Sequence, residues 1–193
     1  MTDAVTNIYM VGVGGQGTLL ASEILSEVLM LRGYDVKKAE VHGMAQRGGS
    51  VVSHVRFGKK VYSPIIPEGE GDILFAFELL EAYRCLPLLK PSAKIVVNNL
   101  KIMPPGVNLG QETYPEDVPG KIRQIFPDTL VVDGIPKALE AGSDRAVNTV
   151  MLGALSRQMD IPVATWEQAI RHMVPERYVD LNLKAFALGR GAD

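Results

Sequence analysis

At 193 residues, with 47% hydrophobic and 22% charged residues, the chain can bury a substantial core, and one domain spanning residues 1–193 is expected. A formal net charge of -2 gives no general pull toward nucleic acid or an anionic membrane surface. The single cysteine, Cys85, excludes an internal disulfide, and with no CxxC or Cys/His cluster to hold zinc or iron–sulfur, any redox centre is expected on another chain.

Asn7 to Val11 is a short apolar run of β-formers, and after a stretch of glycines Thr18 to Leu31 carries Leu19, Ile24, Val28 and Leu31 at roughly helical spacing. Gly33 ends that helix, and Tyr34 to Val41 reads as a second strand, which predicts a βαβ unit with parallel pairing and a right-handed crossover. Val51 to Phe57 alternates as a strand, and Phe57-Gly58-Lys59 resembles a hairpin turn leading to Val61-Tyr62, an antiparallel addition to the sheet. Asp72 to Phe77 reads as a buried strand, Glu78 to Leu89 as a helix ended by Lys90-Pro91, and Lys94 to Asn98 as the next strand.

Prolines and glycines between Met103 and Pro119 mark a loop. A short helix over Pro119 to Phe126 follows, then a strand over Thr129 to Val132 and helices over Asn148 to Met159, Thr165 to Met173 and Val179 to Leu188. The fold predicted is α/β: three layers, a Rossmann-like, mostly parallel sheet with helices on both faces and an antiparallel addition. No run of about 18 apolar residues and no basic leader occurs, so no membrane contact and a cytoplasmic location are expected.

Gly12-Val13-Gly14-Gly15-Gln16-Gly17 fits G-x-G-x-x-G between a predicted strand and a predicted helix. Glycine permits the tight turn, and the free N–H groups and dipole of the helix favour an anion such as phosphate. The same glycines can also serve packing alone. Dinucleotide binding would further require an acid about 20 positions on to hold a ribose hydroxyl, and Glu40 is the candidate.

Glu40 runs into a second segment, Val41-His42-Gly43-Met44-Ala45-Gln46-Arg47-Gly48-Gly49-Ser50, just beyond the carboxyl end of a predicted strand, where open α/β sheets bind ligands. Arg47 can clamp carboxylate or phosphate, Gly48 and Gly49 let backbone approach a ligand, and the density of polar groups suits a ligand or subunit contact better than a core. No nucleophile pairs with His42 or His54, which read as structural or interface histidines. Asn148 reads as a helix cap. With no nucleophile elbow, zinc-protease motif, Walker lysine or paired carboxylates, the chain carries recognition chemistry without an evident reaction centre.

The GVGGQG turn, the segment EVHGMAQRGGSVVSHVR from Glu40 to Arg56, and Asn148-Thr149-Val150-Met151-Leu152-Gly153-Ala154 resemble the small (beta or gamma) subunit of 2-oxoacid:ferredoxin oxidoreductases. The Gly43 to Ser50 form is most similar to the indolepyruvate branch, whereas pyruvate-type subunits carry a shorter one. The resemblance implies a subunit of an enzyme that oxidatively decarboxylates aryl 2-oxoacids to acyl-CoA and reduces ferredoxin. It implies a large alpha subunit as partner, carrying thiamine diphosphate and the iron–sulfur clusters, with coenzyme A as co-substrate.

The cofactor-facing candidates are then Gly12, Gly14, Gly15, Gln16, Gly17, Glu40, Gln46, Arg47, Gly48 and Gly49, with no catalytic or metal residue on this chain. Two other readings stay open: a free-standing NAD(P)- or flavin-binding oxidoreductase using Gly12, Gly14, Gly17 and Glu40, and a purely structural subunit. An isolated subunit with an apolar docking face can self-associate as a homodimer.

Overall fold

The computed structural model describes residues 4–42 and 49–191. Its strands are β1 (Thr6–Val13), β2 (Asp35–His42), β3 (Ser50–Gly58), β4 (Gly71–Ala76), β5 (Leu89–Asn98) and β6 (Leu130–Val132). Its helices are α1 (Thr18–Leu31), α2 (Leu79–Arg84), α3 (Pro105–Asn108), α4 (Val118–Ile125), α5 (Gly134–Ala141), α6 (Val147–Ser156), α7 (Val163–Met173) and α8 (Val179–Arg190). The strands form a six-stranded sheet in the order β2-β3-β1-β4-β5-β6.

Both faces of the sheet are covered, as the continuous apolar strands require. Along β1, Ile8 and Met10 enter the core beneath α1 and α6 to α8, while Tyr9 and Val11 enter the core beneath α2 and α4. Along β4, Phe75 joins the first core, and Leu74 and Ala76 join the second. The result is a three-layer α/β fold with helices on both faces.

β2 runs parallel to β1 as expected, but the two do not pair. Antiparallel β3 lies between them, with Tyr9 opposite His54 on one side and Ala39 opposite His54 on the other. Periodicity identifies a strand without naming its neighbours. Composition explains the order: β3 buries Val55 and Phe57 against one core and His54 near the other, whereas β2 carries Lys37, Lys38 and Glu40, charges that suit a sheet edge.

The hairpin anticipated at Phe57-Gly58-Lys59 does not form. After β3 the chain turns away, Val61 donates its N–H to Asp35 Oδ2 at 3.0 Å, and Ile66 donates to His54 Nδ1 at 3.1 Å. The helix expected to run to Leu89 stops at Cys85 and gives way to a 3-10 turn over Leu86–Leu88. Pro87 is the cause, because it has no N–H with which to continue the helical ladder. β5 then begins at Leu89, and Lys90-Pro91 lies within it.

Sequence reading left residues 133–146 without an element, yet α5 forms there. Pro136 falls in its first turn, where backbone N–H groups have no intrahelical acceptor in any case. α6 and α8 cross with their backbones in close approach. A β-carbon added to Gly153 would lie 2.1 Å from the Phe186 carbonyl oxygen, and one added to Gly189 would lie 1.9 Å from that of Val150. Beside this crossing Trp166, fully buried, stacks on Phe186 with ring centroids 5.9 Å apart.

Candidate site at the carboxyl edge of the sheet

β1, β4, β5 and β6 end at one edge of the sheet, β2 ends there too, and antiparallel β3 begins there. From β1 the chain moves through α1 toward β2, and from β4 it moves through α2 toward β5. The reversal between β1 and β4 is a topological switch point, the place where open α/β sheets leave a crevice. Gly12 to Gly17 spans the end of β1 and the turn after it, and Phe77 to Leu79 follows β4, so both line that crevice.

The turn has a defined geometry. Gly15 and Gly17 take positive φ values of 102° and 75°, a region that L side chains adopt at a cost. Gly12 has a close-approach role instead: a β-carbon there would lie 2.7 Å from Gln16 Oε1 and 3.0 Å from Phe77 Cβ. Gln16 folds back, with Oε1 accepting from Val13 N–H at 2.6 Å and Nε2 donating to the Phe77 carbonyl at 3.0 Å. Gly14 N–H donates to the Gly49 carbonyl at 2.9 Å, which fixes the end of the second glycine-rich segment against the first.

α1 begins at Gly17 with no side-chain cap and no acid in its first turn. Among the described residues, no acceptor meets the N–H groups of Gly17, Thr18 and Leu19. Most helices satisfy these groups with Ser, Thr, Asp or Asn. Here they remain available to an anion.

The neighbouring strand ends are cross-braced. The Phe77 carbonyl also accepts from Asn98 Nδ2 at 3.3 Å, and Asn98 Oδ1 accepts from Gly134 N–H at 3.1 Å. Glu78, buried, caps α2 by accepting from Glu81 N–H at 2.8 Å, while its other oxygen accepts from Tyr114 Oη at 2.8 Å and Ile102 N–H at 3.1 Å. Burial, with the Glu78 carboxylate beside it, pushes the Tyr114 hydroxyl well above its ordinary value, so it stays a donor. Glu81 pairs with Arg84 at 2.8 Å and accepts from Ser50 Oγ at 2.5 Å.

Sequence reading missed this buried pair. Its signal lies in Phe77-Glu78-Leu79-Leu80-Glu81, where acids interrupt an apolar run. Such acids persist when satisfied by donors.

The structure brings Gly12, Gly14, Gly15, Gln16, Gly17 and Gly49 together at the crevice. Gln46, Arg47 and Gly48 lie outside the described residues. Glu40 stands on β2, separated from the turn by β3, and pairs with Lys38 Nζ at 3.0 Å. A ribose-holding acid has to stand on the strand next to the glycine turn, so two strand spacings, about 10 Å, count against the dinucleotide reading.

Asn148 does not cap α6, whose N-cap is Ala146. It is buried in the first turn of α6 and packs against Gly17. Beside it opens a cavity of about 450 Å3 lined by Leu20, Arg145, Pro175, Tyr178, Leu181 and Asn182 among others. A larger cavity, about 600 Å3, lies at the opposite edge of the sheet between Thr6, Asp72 and Lys94. It is remote from the turn and gathers none of the residues above.

Iron–sulfur clusters take cysteine thiolates. Cys85 is buried in the second core, and burial pushes its thiol up to about 11, so this chain's residues do not fit a cluster. Among the described residues no group of three or more His, Cys, Asp or Glu could hold a metal ion. Nor, among them, is any helix long and apolar enough to cross a membrane.

Comparison with known proteins bears on this arrangement. Residues 7–192 match the family model described as pyruvate ferredoxin/flavodoxin oxidoreductase. The chain is 43% identical over 187 residues to indolepyruvate oxidoreductase subunit IorB of Archaeoglobus fulgidus, covering 95% of this chain and 92% of that protein. Among solved structures, it resembles the gamma subunit of keto/oxoacid ferredoxin oxidoreductase from Geobacter sulfurreducens, with a TM-score of 0.71, 24% identity and 97% of both chains covered. It also resembles 2-oxoglutarate:ferredoxin oxidoreductase from Magnetococcus marinus, with a TM-score of 0.73 and 20% identity, covering 99% of this chain but 31% of that one. At these identities the two structures show the fold alone, and in the second that fold forms part of a longer chain.

Proposed function

Because the chain belongs to the pyruvate ferredoxin/flavodoxin oxidoreductase family and is a small subunit of a 2-oxoacid:ferredoxin oxidoreductase, we propose that it completes the active site of an enzyme acting on indolepyruvate. In that reaction the oxoacid loses carbon dioxide, its carbonyl carbon becomes the thioester of coenzyme A, and two electrons pass to ferredoxin. Thiamine diphosphate and the iron–sulfur clusters belong to a large alpha subunit in the cytoplasm, and this chain binds and orients.

One observation carries this reading: the uncapped start of α1 faces the crevice, with Gly49 tied to Gly14 beside it. Among the described residues this edge offers donors to an anion. Coenzyme A is an anion of the right kind, and its phosphates suit helix N–H groups and the guanidinium of Arg47. Gly12, Gly14, Gly15, Gln16, Gly17 and Gly49 form the described part of the site; Gln46, Arg47 and Gly48 are the candidates that the sequence adds to it.

The test is reconstitution with the large subunit, measuring indolepyruvate- and coenzyme A-dependent reduction of ferredoxin. Arg47→Ala and Gly14→Val are expected to raise KM for coenzyme A or abolish turnover in an assembled complex. Unchanged kinetics in both variants would make the chain a purely structural subunit. Reduction of ferredoxin by this chain alone would overturn its dependence on a partner.

A further inference from the structure

β2 is an edge strand: β3 lies on one side of it, and among the described residues no strand lies on the other. A strand so placed presents a row of unpaired main-chain groups to any further strand, and native proteins protect such edges by shortness, proline, bulges or lysine. β6, at the opposite edge, has three residues. β2 has eight, with no proline and an unbroken register against β3 from Asp35 to His42. At about 3.4 Å per residue it offers roughly 27 Å of edge. Its two lysines are offset by two acids on the same strand: Lys37 Nζ pairs with Asp35 at 2.5 Å, and Lys38 Nζ pairs with Glu40 at 3.0 Å. The edge is long and its charges balance.

The order of those charges is self-complementary. A two-fold axis, the commonest symmetry of assemblies of identical chains, sets two edge strands antiparallel when it stands normal to the sheet. It also keeps corresponding faces on one side, so even-numbered residues meet even-numbered ones and the axis passes through a residue. Centred on Lys37, Lys38 or Glu40, it sets like charges directly opposite each other, which is destabilising. Centred nearer either end, it leaves most of the strand unpaired. Centred on Ala39, it aligns residues 36–42 of both strands, brings the two small Ala39 side chains together, and places each Lys38 opposite the Glu40 of the other copy. Parallel pairing would set every charge beside its own duplicate.

Lys38 is held in position for this role. On the α1 side of the sheet its Nζ donates to Ser22 Oγ at 3.3 Å and lies 4.0 Å from Glu23, so less side-chain freedom is lost when it meets a further carboxylate.

We infer that the open edge of β2 binds a second copy of this chain: the two β2 strands pair antiparallel about a dyad at Ala39, joining two sheets into one, with reciprocal Lys38–Glu40 pairs across the seam. β3 separates this edge from the glycine-rich turn, so the pairing uses none of the groups that line the crevice and does not rest on the function proposed above.

Ala39→Cys in the full-length chain reads the register. Opposite residues of an antiparallel pair have Cα atoms about 4.5 or 5.5 Å apart, within the disulfide range of about 4.4 to 6.8 Å, and the natural Cys85 is buried. Oxidised glutathione should therefore convert this variant to a disulfide-linked dimer. Lys37→Cys stands on the same face, but in this register its copy lies roughly 14 Å away along the strand, too far to bridge, and it should stay unlinked. Sedimentation of the chain without added cysteines should show a dimer. Lys38→Glu, which sets acids opposite each other, should raise its dissociation constant about ten-fold or more. Lys38→Glu combined with Glu40→Lys reverses both pairs and should restore it. If Lys38→Glu does not fold, the two cysteine variants decide the matter.

A wild-type chain that stays monomeric at about 100 μM, where a dimer of micromolar affinity is filled, would overturn the pairing and leave the edge to a strand of another protein. A dimer that Ala39→Cys fails to link, that Lys37→Cys links as fast, or that Lys38→Glu leaves as tight would overturn it too, because the copies would then meet elsewhere.

Discussion

Gln16 Nε2 donates to the carbonyl of Phe77 at 3.0 Å, a single side-chain contact that ties the turn after β1 to the end of β4. The same side chain accepts from Val13 N–H, so it closes the turn and anchors it together.

Gln16→Ala removes both bonds, leaving the partly buried Val13 N–H without its acceptor and the Phe77 carbonyl with Asn98 Nδ2 alone. A loss of about 1 to 3 kcal/mol is expected in denaturant unfolding. Gly12→Ala should act in the same direction, since its β-carbon meets Gln16 Oε1 and Phe77. A stability equal to wild type in both variants would show that the turn is held by other means.

The α6–α8 crossing gives a sharper expectation. Gly153→Ala places a methyl group 2.1 Å from the Phe186 carbonyl oxygen, and Gly189→Ala places one 1.9 Å from that of Val150. Backbone cannot yield as a side-chain tip does, so each variant should cost about 3 kcal/mol or more, the upper end of overpacking penalties. Because both force the same helices apart, the double variant should cost less than the sum. Thermal unfolding of the three proteins decides it.

His54 makes stability depend on pH. Burial first, and the nearby Arg56 guanidinium second, lower its pKa from the ordinary 6.5, and its neutral Nδ1 accepts from Ile66 N–H. A depressed histidine pKa means that the unfolded chain binds more protons in this range. The contribution is therefore complete above the unfolded value and is lost as pH falls toward the folded one. Tm should drop between about pH 7 and pH 5, and His54→Asn should flatten that part of the curve. An unchanged slope in the variant would assign the effect to other groups.

Cys85 should behave as an inert core residue. With its thiol pushed up to about 11 and 6% of its surface exposed, little thiolate exists at neutral pH to attack an alkylating reagent. Maleimide labelling should be slow in the folded protein and rapid in denaturant. Fast labelling of the native chain would contradict the placement of Cys85 in the second core, at the end of α2.

Much of the fold was legible because apolar periodicity and glycine position are local signals. The strand at Asn7, the turn at Gly12 and the helix from Thr18 to Leu31 required nothing beyond the residues concerned. Strand order was less accessible, since it depends on which strand has both faces covered. The charges of Lys37, Lys38 and Glu40 against the apolar Val55 and Phe57 held that information, but edge position emerges only when the two strands are compared.

The site divides in the same way. Gly12 to Gly17 announce themselves by spacing. Asn148 lies 131 positions beyond Gly17 in the chain and meets it through the packing of α6 against α1, which no local pattern encodes. Glu78 and Glu81 were hidden for a related reason: their partners Ile102, Tyr114 and Ser50 come from three separate segments.

The position of β3 between β1 and β2 has an evolutionary corollary. His42 and Val51 are register partners in neighbouring antiparallel strands, so the residues between them are attached at two points whose separation the sheet dictates. The ladder from Asp35 opposite Gly58 to His42 opposite Val51 is set by β2 and β3 themselves, so lineages can vary the sequence that joins the two strands while inheriting the scaffold intact.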